Sequence, residues 1–122
     1  MKFTDLEPEF HRYVERMDSD PRVNDGAQVV RLFLQEVESL EEAQGVWFLC
    51  PGCFAKNGGK VGTHMVDVSF QNRGVPDHLG SQNREGKPSR WQASGTGLAD
   101  LTLSPSVDCG CWHGHVINGE AV

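Results

Sequence analysis

No apolar run in this 122-residue chain approaches the roughly 20 residues that a membrane-spanning helix requires. The N-terminus, Met1-Lys2-Phe3-Thr4-Asp5-Leu6, lacks the apolar stretch of a secretory signal, which implies a cytoplasmic protein. Positive charge is also short: 11 Lys and Arg stand against 17 Asp and Glu, a formal net charge of −6. Neutralising phosphate needs clustered cations, so general nucleic-acid binding is disfavoured. No internal repeat or low-complexity tract is present. A composition 38% hydrophobic and 23% charged fits neither a membrane protein nor a globally disordered one. The length suits one domain over residues 1–122 with a modest core.

Cysteine is sparse but concentrated. All four sit in two clusters, Cys50-Pro51-Gly52-Cys53 and Cys109-Gly110-Cys111-Trp112-His113-Gly114-His115. A reducing compartment disfavours disulfides, which remain the rival only for an exported protein. Two local donor pairs far apart in sequence are what a tetrahedral zinc site uses to close one loop around one ion. Cys50 and Cys53 have the C-x2-C spacing, with Pro51 and Gly52 making the turn between them. In the second cluster, residues 109, 111, 113 and 115 of a strand would project from one face, with neighbours about 6.5 Å apart at Cα. Cys111 and His113 therefore meet an ion with little distortion, whereas Cys109 with His113 needs a bend at Gly110. The expected set is Cys50, Cys53, Cys111 and His113 around Zn2+, with Cys109, His115 and His64 as the alternatives. His11 and His78 have no supporting context and read as surface residues. Trp112 reads as a shield for the metal, and Ser104-Pro105-Ser106 as a turn rather than a nucleophile.

The pattern along the chain is α+β with β dominant: antiparallel strands stapled by the zinc site, preceded by short N-terminal helices. Leu6, Phe10, Val14 and Met17 have helical spacing, with Thr4 and Glu7 in capping-box positions, which predicts a helix over residues 4–17. Residues 27–37 fit a strand or a short helix equally. Ser39 with Glu42 reads as a fresh N-cap, with Gly45 closing a short helix. Val46-Trp47-Phe48-Leu49 is a strand running into Cys50, and residues 64–70 alternate as a strand with His64, Val66, Val68 and Phe70 on one face. Residues 71–90 form a long polar loop that is either mobile or functional. Its Arg73, Arg84, Lys87 and Arg90, like Glu36, Glu38, Glu41 and Glu42, read as solvated surface. Further strands are expected over residues 98–103, at Val107, and from His115 to a turn at Asn118-Gly119.

The ordered series Val46-Trp47-Phe48-Leu49-Cys50-Pro51-Gly52-Cys53-Phe54, Gly62-Thr63-His64, Arg90-Trp91, the run from Ser94 through Leu103, Pro105-Ser106-Val107, Trp112-His113-Gly114 and Asn118-Gly119-Glu120 resembles a family of small bacteriophage zinc-binding proteins, sometimes labelled as an ammonia monooxygenase. The resemblance covers roughly residues 39–120 and leaves 1–38 as an N-terminal extension. It implies a zinc-binding, β-rich fold and a place in the host cytoplasm or the virion. Members read Gly-Cys-Gly-Trp-His-Gly at the second cluster; this chain's cysteine is displaced by one position either way. The match supports His113 as a ligand and leaves Cys109 and Cys111 both open. The enzymatic label finds no membrane span and no copper or di-iron ligand set here.

The leading expectation is a non-enzymatic protein with structural zinc, acting through contacts with a phage or host protein. The runner-up is a zinc enzyme with three protein ligands and a bound water, in which His64, His115 or Asp108 serves as base and residues 71–90 as a lid. A Rieske-type cluster needs two cysteines on one iron and two histidines on the other, which the first cluster does not match. A zinc-ribbon-like nucleic-acid module is opposed by the acidic balance.

Overall fold

The computed structural model describes residues 1–19 and 28–122. Two long strands open the chain, β1 (Glu9–Ser19) and β2 (Gln28–Val37), followed by β3 (Gly45–Leu49), the helix α1 (Pro51–Asn57) and β4 (Met65–Ser69). The C-terminal half is built from short strands: β5 (Gln92–Ser94), β6 (Thr102–Ser104), β7 (Val107–Asp108), β8 (His113–Gly114), β9 (Val116–Ile117) and β10 (Glu120–Ala121). β1 to β4 form one antiparallel sheet in the order β2-β1-β3-β4, and the short strands pair as β5–β6, β7–β8 and β9–β10. The α+β, β-dominant expectation is met, with α1 the one α-helix among the described residues. None of these helices is long and apolar enough to cross a membrane.

The helix expected over residues 4–17 is instead a 3-10 turn at Phe3–Leu6 followed by β1. Glu7 takes a left-handed conformation, φ 51°, that ends the turn, and the Thr4/Glu7 capping pattern makes no side-chain cap. Leu6, Phe10 and Val14 are spaced by four, which satisfies both a helical face and every second residue pair of a strand. Cross-strand pairing decides between them: Val14 lies opposite Phe33, Met17 opposite Val30 and Phe10 opposite Val37. Residues 28–37, ambiguous in sequence, are strand for the same reason. At Ser39 the capping contacts do form, since Glu42 N–H donates to Ser39 Oγ and Ser39 donates to the Glu42 carboxylate at 2.9 Å. They close only a turn, and Gly45 starts β3 rather than ending a helix. Residues 98–100 are a 3-10 turn, so the expected 98–103 strand shortens to Thr102–Ser104.

The core lies on one face of the sheet. Phe10, Val46, Phe48, Val66 and Val68 meet Phe3, Leu6, Phe70, Leu101, Leu103, Val107 and Val116, all essentially solvent-free. Phe3 packs edge-on to Phe48 at 4.9 Å between ring centres. The opposite face of the same strands is polar yet covered. His11, expected at the surface, is only 1% exposed, because its side chain falls between Tyr13 and Trp47. The Tyr13 hydroxyl donates to Asp67 at 2.6 Å and accepts from Ser69 at 2.6 Å. Burial, then the Asp67 charge, raises the Tyr13 pKa well above its ordinary value. His11 Nε2 lies 2.9 Å from Asp67 Oδ1 but off the line of a hydrogen bond, and neither ring nitrogen has a hydrogen-bond partner among the described residues.

The long 71–90 segment lies over this polar face and is pinned by arginines rather than left in solvent. The Arg90 guanidinium donates to the carbonyls of Pro76, Leu79, Ser81 and Ser89. Arg73 donates to the carbonyls of Leu40, Glu41 and Ala43. Two of the four cations read as solvated surface are thus internal fasteners, while Arg84 and Lys87 are exposed. Charge-assisted bonds to several carbonyls at once hold irregular backbone that has no ladder of its own.

Candidate metal centre

Three separate stretches bring their donors to one point. β3 ends at Leu49, Cys50 follows as the N-cap of α1, and Pro51 stands in the helix's first turn, where a missing N–H costs nothing. The Pro-Gly pair is therefore helical rather than a free turn, and the helix places Cys53 beside Cys50. The 109–112 turn approaches because Gly52 has no side chain. A Cβ at that position would lie 2.6 Å from the Cys111 carbonyl oxygen and 3.2 Å from Trp112 Cβ. His64 arrives through sheet register. Leu49 pairs with Met65, and the ladder runs one step further, with Cys50 N–H donating to the His64 carbonyl at 2.9 Å. The residue opposite the first cysteine is thus a histidine.

Cys50, Cys53, His64 and Cys111 have their donor atoms all within 4.8 Å of one another. Cys50 and Cys111 sulfurs are 3.7 Å apart, and those of Cys53 and Cys111 3.4 Å. Zinc–sulfur bonds of about 2.3 Å at a tetrahedral angle put two thiolates about 3.8 Å apart. A disulfide would need about 2.05 Å, and all four cysteines are free. His64 Nε2 is 2.9 Å from Cys111 Sγ, a hydrogen-bonding distance shorter than the roughly 3.6 Å that a shared zinc would set. The other ring nitrogen, Nδ1, lies 3.3 Å from the Met65 carbonyl. With the ring proton on Nδ1 in place of Nε2, the Nε2 lone pair is free for an ion. These four residues lie close enough to bind a metal ion.

The thiols already sort themselves by hydrogen bonding. His64, then Cys53, donates to Cys111 and lowers its pKa to about 7. Giving its proton to Cys111 pushes Cys53 up to about 11. Burial, followed by the bond to Cys50, raises Cys109 to about 12. A divalent cation that binds the sulfurs displaces their protons, and the lowered Cys111 is the readiest to give its proton up.

The structure brings three members of the expected set together, Cys50, Cys53 and Cys111, and joins them with His64 rather than His113. His113 sits in β8, opposite Asp108, with Nε2 at 3.0 Å from Ser106 Oγ. The period-two argument required a continuous strand from 109 to 115. Gly110, at φ 88°, interrupts it, and Cys109 N–H closes a turn onto the Trp112 carbonyl. Cys111 therefore projects toward the C-x2-C segment while His113 falls on the far side of the turn. Cys109 stays near, its sulfur 3.6 Å from Cys50 Sγ and bonded to the Trp112 carbonyl. His115 is exposed, its backbone paired with Val122. Trp112 packs its half-buried ring against the core.

Next to the cluster is a cleft of about 360 Å³ whose wall includes His64, Asp67, Ser81, Trp91, Asp108 and Cys109. It joins the candidate metal centre to the polar outer face of the sheet. No protein-family model, curated protein or solved structure matches the chain.

Proposed function

We propose that the chain is a non-enzymatic zinc protein of bacteriophage origin, in which the ion is structural and function is exercised through protein–protein contacts. The observation that supports this reading is the convergence of four protein donors, three sulfurs and an imidazole, from segments around residues 50–53, 64 and 111. Four protein ligands saturate tetrahedral zinc and leave no coordination position for a substrate. Thiolate-rich donor sets favour zinc over the hard cations that carboxylates select. The ion would tie the C-terminal turn to the end of β3 and the start of β4, which supplements a core of modest size. The phage setting rests on the family resemblance of residues 39–120. Elemental analysis of freshly purified protein should find one zinc per chain, and chelator should lower the unfolding temperature. A metal-free protein that is fully folded and indifferent to chelator ends the proposal.

A catalytic reading draws on one specific observation, the cleft beside His64 with Asp67 and Asp108 on its wall. It requires His64 to yield its position to water, since the three cysteines alone leave a site open. Cobalt substitution separates the two readings. A spectrum unchanged across the neutral pH range supports the closed site, and one that titrates as a bound water supports the open one.

A further inference from the structure

Beyond the body of the sheet the first two strands continue alone. β1 pairs with β3 only at Glu9–His11, whereas its pairing with β2 runs from Phe10 to Ser19. From Arg12 outward, β1 and β2 therefore form a two-stranded arm. Such a ribbon is marginal in water unless a face is covered. This one exposes apolar side chains on both faces: Met17 is 63% exposed, Val30 61% and Leu32 50% on one, and Phe33 is 40% exposed on the other. Charge divides between the faces. With side chains alternating, Arg12, Arg16 and Arg31 share the face of Phe33, with Asp18 as its one acid in the paired strands. Arg16 lies over the Phe33 ring at 5.0 Å and Arg31 contacts Asp18. Glu15 and Glu36 share the face of Met17, Val30, Leu32 and Leu34, where the two strands carry no Lys or Arg. His78 from the 71–90 segment contacts Glu15 there.

We propose that the arm is a self-association surface, in which the basic, Phe33-bearing face of one copy stacks on the acidic, leucine-rich face of the next. One face carries three arginines against a single acid and the other carries glutamates with no Lys or Arg in the strands, so the complement of this surface is another copy of the same chain. Edge-to-edge pairing of β2 with a second β2 would leave both apolar faces in water, whereas stacking covers both. The contact joins two different patches, so it propagates head to tail and ends in a ring or a filament. This deepens the protein-contact reading by naming a partner, and rests on it for that premise; the metal centre is a separate surface and is measured separately.

The test is light-scattering mass on the full chain, with metal content determined on the same sample. The expected mass is at least threefold that of one chain and falls as salt is raised. Arg16→Glu blocks one face and Glu36→Arg the other. Each variant alone should be a monomer of unchanged metal content and circular dichroism, and an equimolar mixture should regain assembly, since each variant keeps the intact face that the other has lost. If either charge reversal fails to fold, Arg16→Gln and Glu36→Gln supply the same comparison with a graded loss of assembly. A monomeric parent protein overturns the proposal. So does a parent assembly unaffected by either variant, or a mixture that remains monomeric. An assembled protein without zinc would refute the structural-zinc reading and leave this one intact; a zinc-loaded monomer would do the reverse.

Discussion

Single-residue removal of metal ligands, read by unfolding temperature with and without chelator, tests the centre most directly. An ion joining Cys50 to Cys111 bridges residues 61 apart in sequence. Closing a loop of that size in the unfolded chain is worth about 4 kcal/mol in the chain-entropy account of cross-links. For a domain of this length about 3–5 °C accompanies each kcal/mol, so chelator should lower the midpoint by about 15 °C. Cys111→Ser should abolish that response, because the long closure depends on it. His64→Ala leaves the closure in place and weakens the ion's hold: a hundredfold loss of affinity, about 2.7 kcal/mol, would reduce the shift to about 5 °C at fixed free zinc. His113→Ala removes one exposed contact to Ser106 and should leave both the zinc stoichiometry and the chelator response unchanged. The reasoning fails if His113→Ala releases zinc while His64→Ala retains it, since the register that sets His64 opposite Cys50 would then not define the centre.

Thiol alkylation of the metal-free protein should follow the hydrogen bonds. Cys111, whose thiolate His64 and Cys53 stabilise, should react with a rate that rises through pH about 7, whereas Cys53 should wait until about 11; a most reactive cysteine titrating near the ordinary 8.5 refutes this. Added zinc should suppress both reactions. Gly52→Ala should cost about 1–3 kcal/mol and lower zinc affinity, because the new methyl meets the Cys111 carbonyl at 2.6 Å; a neutral effect in a titration with a zinc indicator would show that the turn has room to retreat. The chain has one tyrosine, so absorbance at alkaline pH reports Tyr13 alone. Its pKa is raised in the folded state, so its contribution to stability is complete below the unfolded value near 10 and is lost as pH rises beyond it. Tyrosinate absorbance should therefore appear together with unfolding, and its appearance near pH 10 in folded protein contradicts the burial argument.

The strands that touch the site were legible in sequence because their signal is local. Val46-Trp47-Phe48-Leu49 and the alternation through Val66 and Val68 each point to a strand without reference to anything else. β1 was not legible for the opposite reason. Leu6, Phe10 and Val14 recur at intervals of four, which a helix and a strand share, and the deciding information is the pairing with residues 28–37. His11 shows the same limit. An isolated histidine in a polar stretch reads as surface, and its burial depends on Tyr13 of its own strand and on Trp47 and Gly45 of the neighbouring one.

The candidate metal centre divides along the same line. Spacing alone paired Cys50 with Cys53, and the Cys/His-rich turn marked where the remote donor comes from. Which histidine joins them depends on geometry that spacing cannot express. His113 is two residues from Cys111, yet one glycine at φ 88° turns it toward Ser106. His64 lies 47 residues from Cys111, yet the antiparallel register brings it to 2.9 Å. The available signal was its place: the histidine opens the strand that follows a knuckle at the end of the preceding strand. Antiparallel neighbours joined through a short helix put the last residue of one strand opposite the first of the next. For a C-x2-C pair at a strand end, a histidine opening the returning strand should therefore weigh more as a ligand than one adjacent in sequence to a distant cysteine.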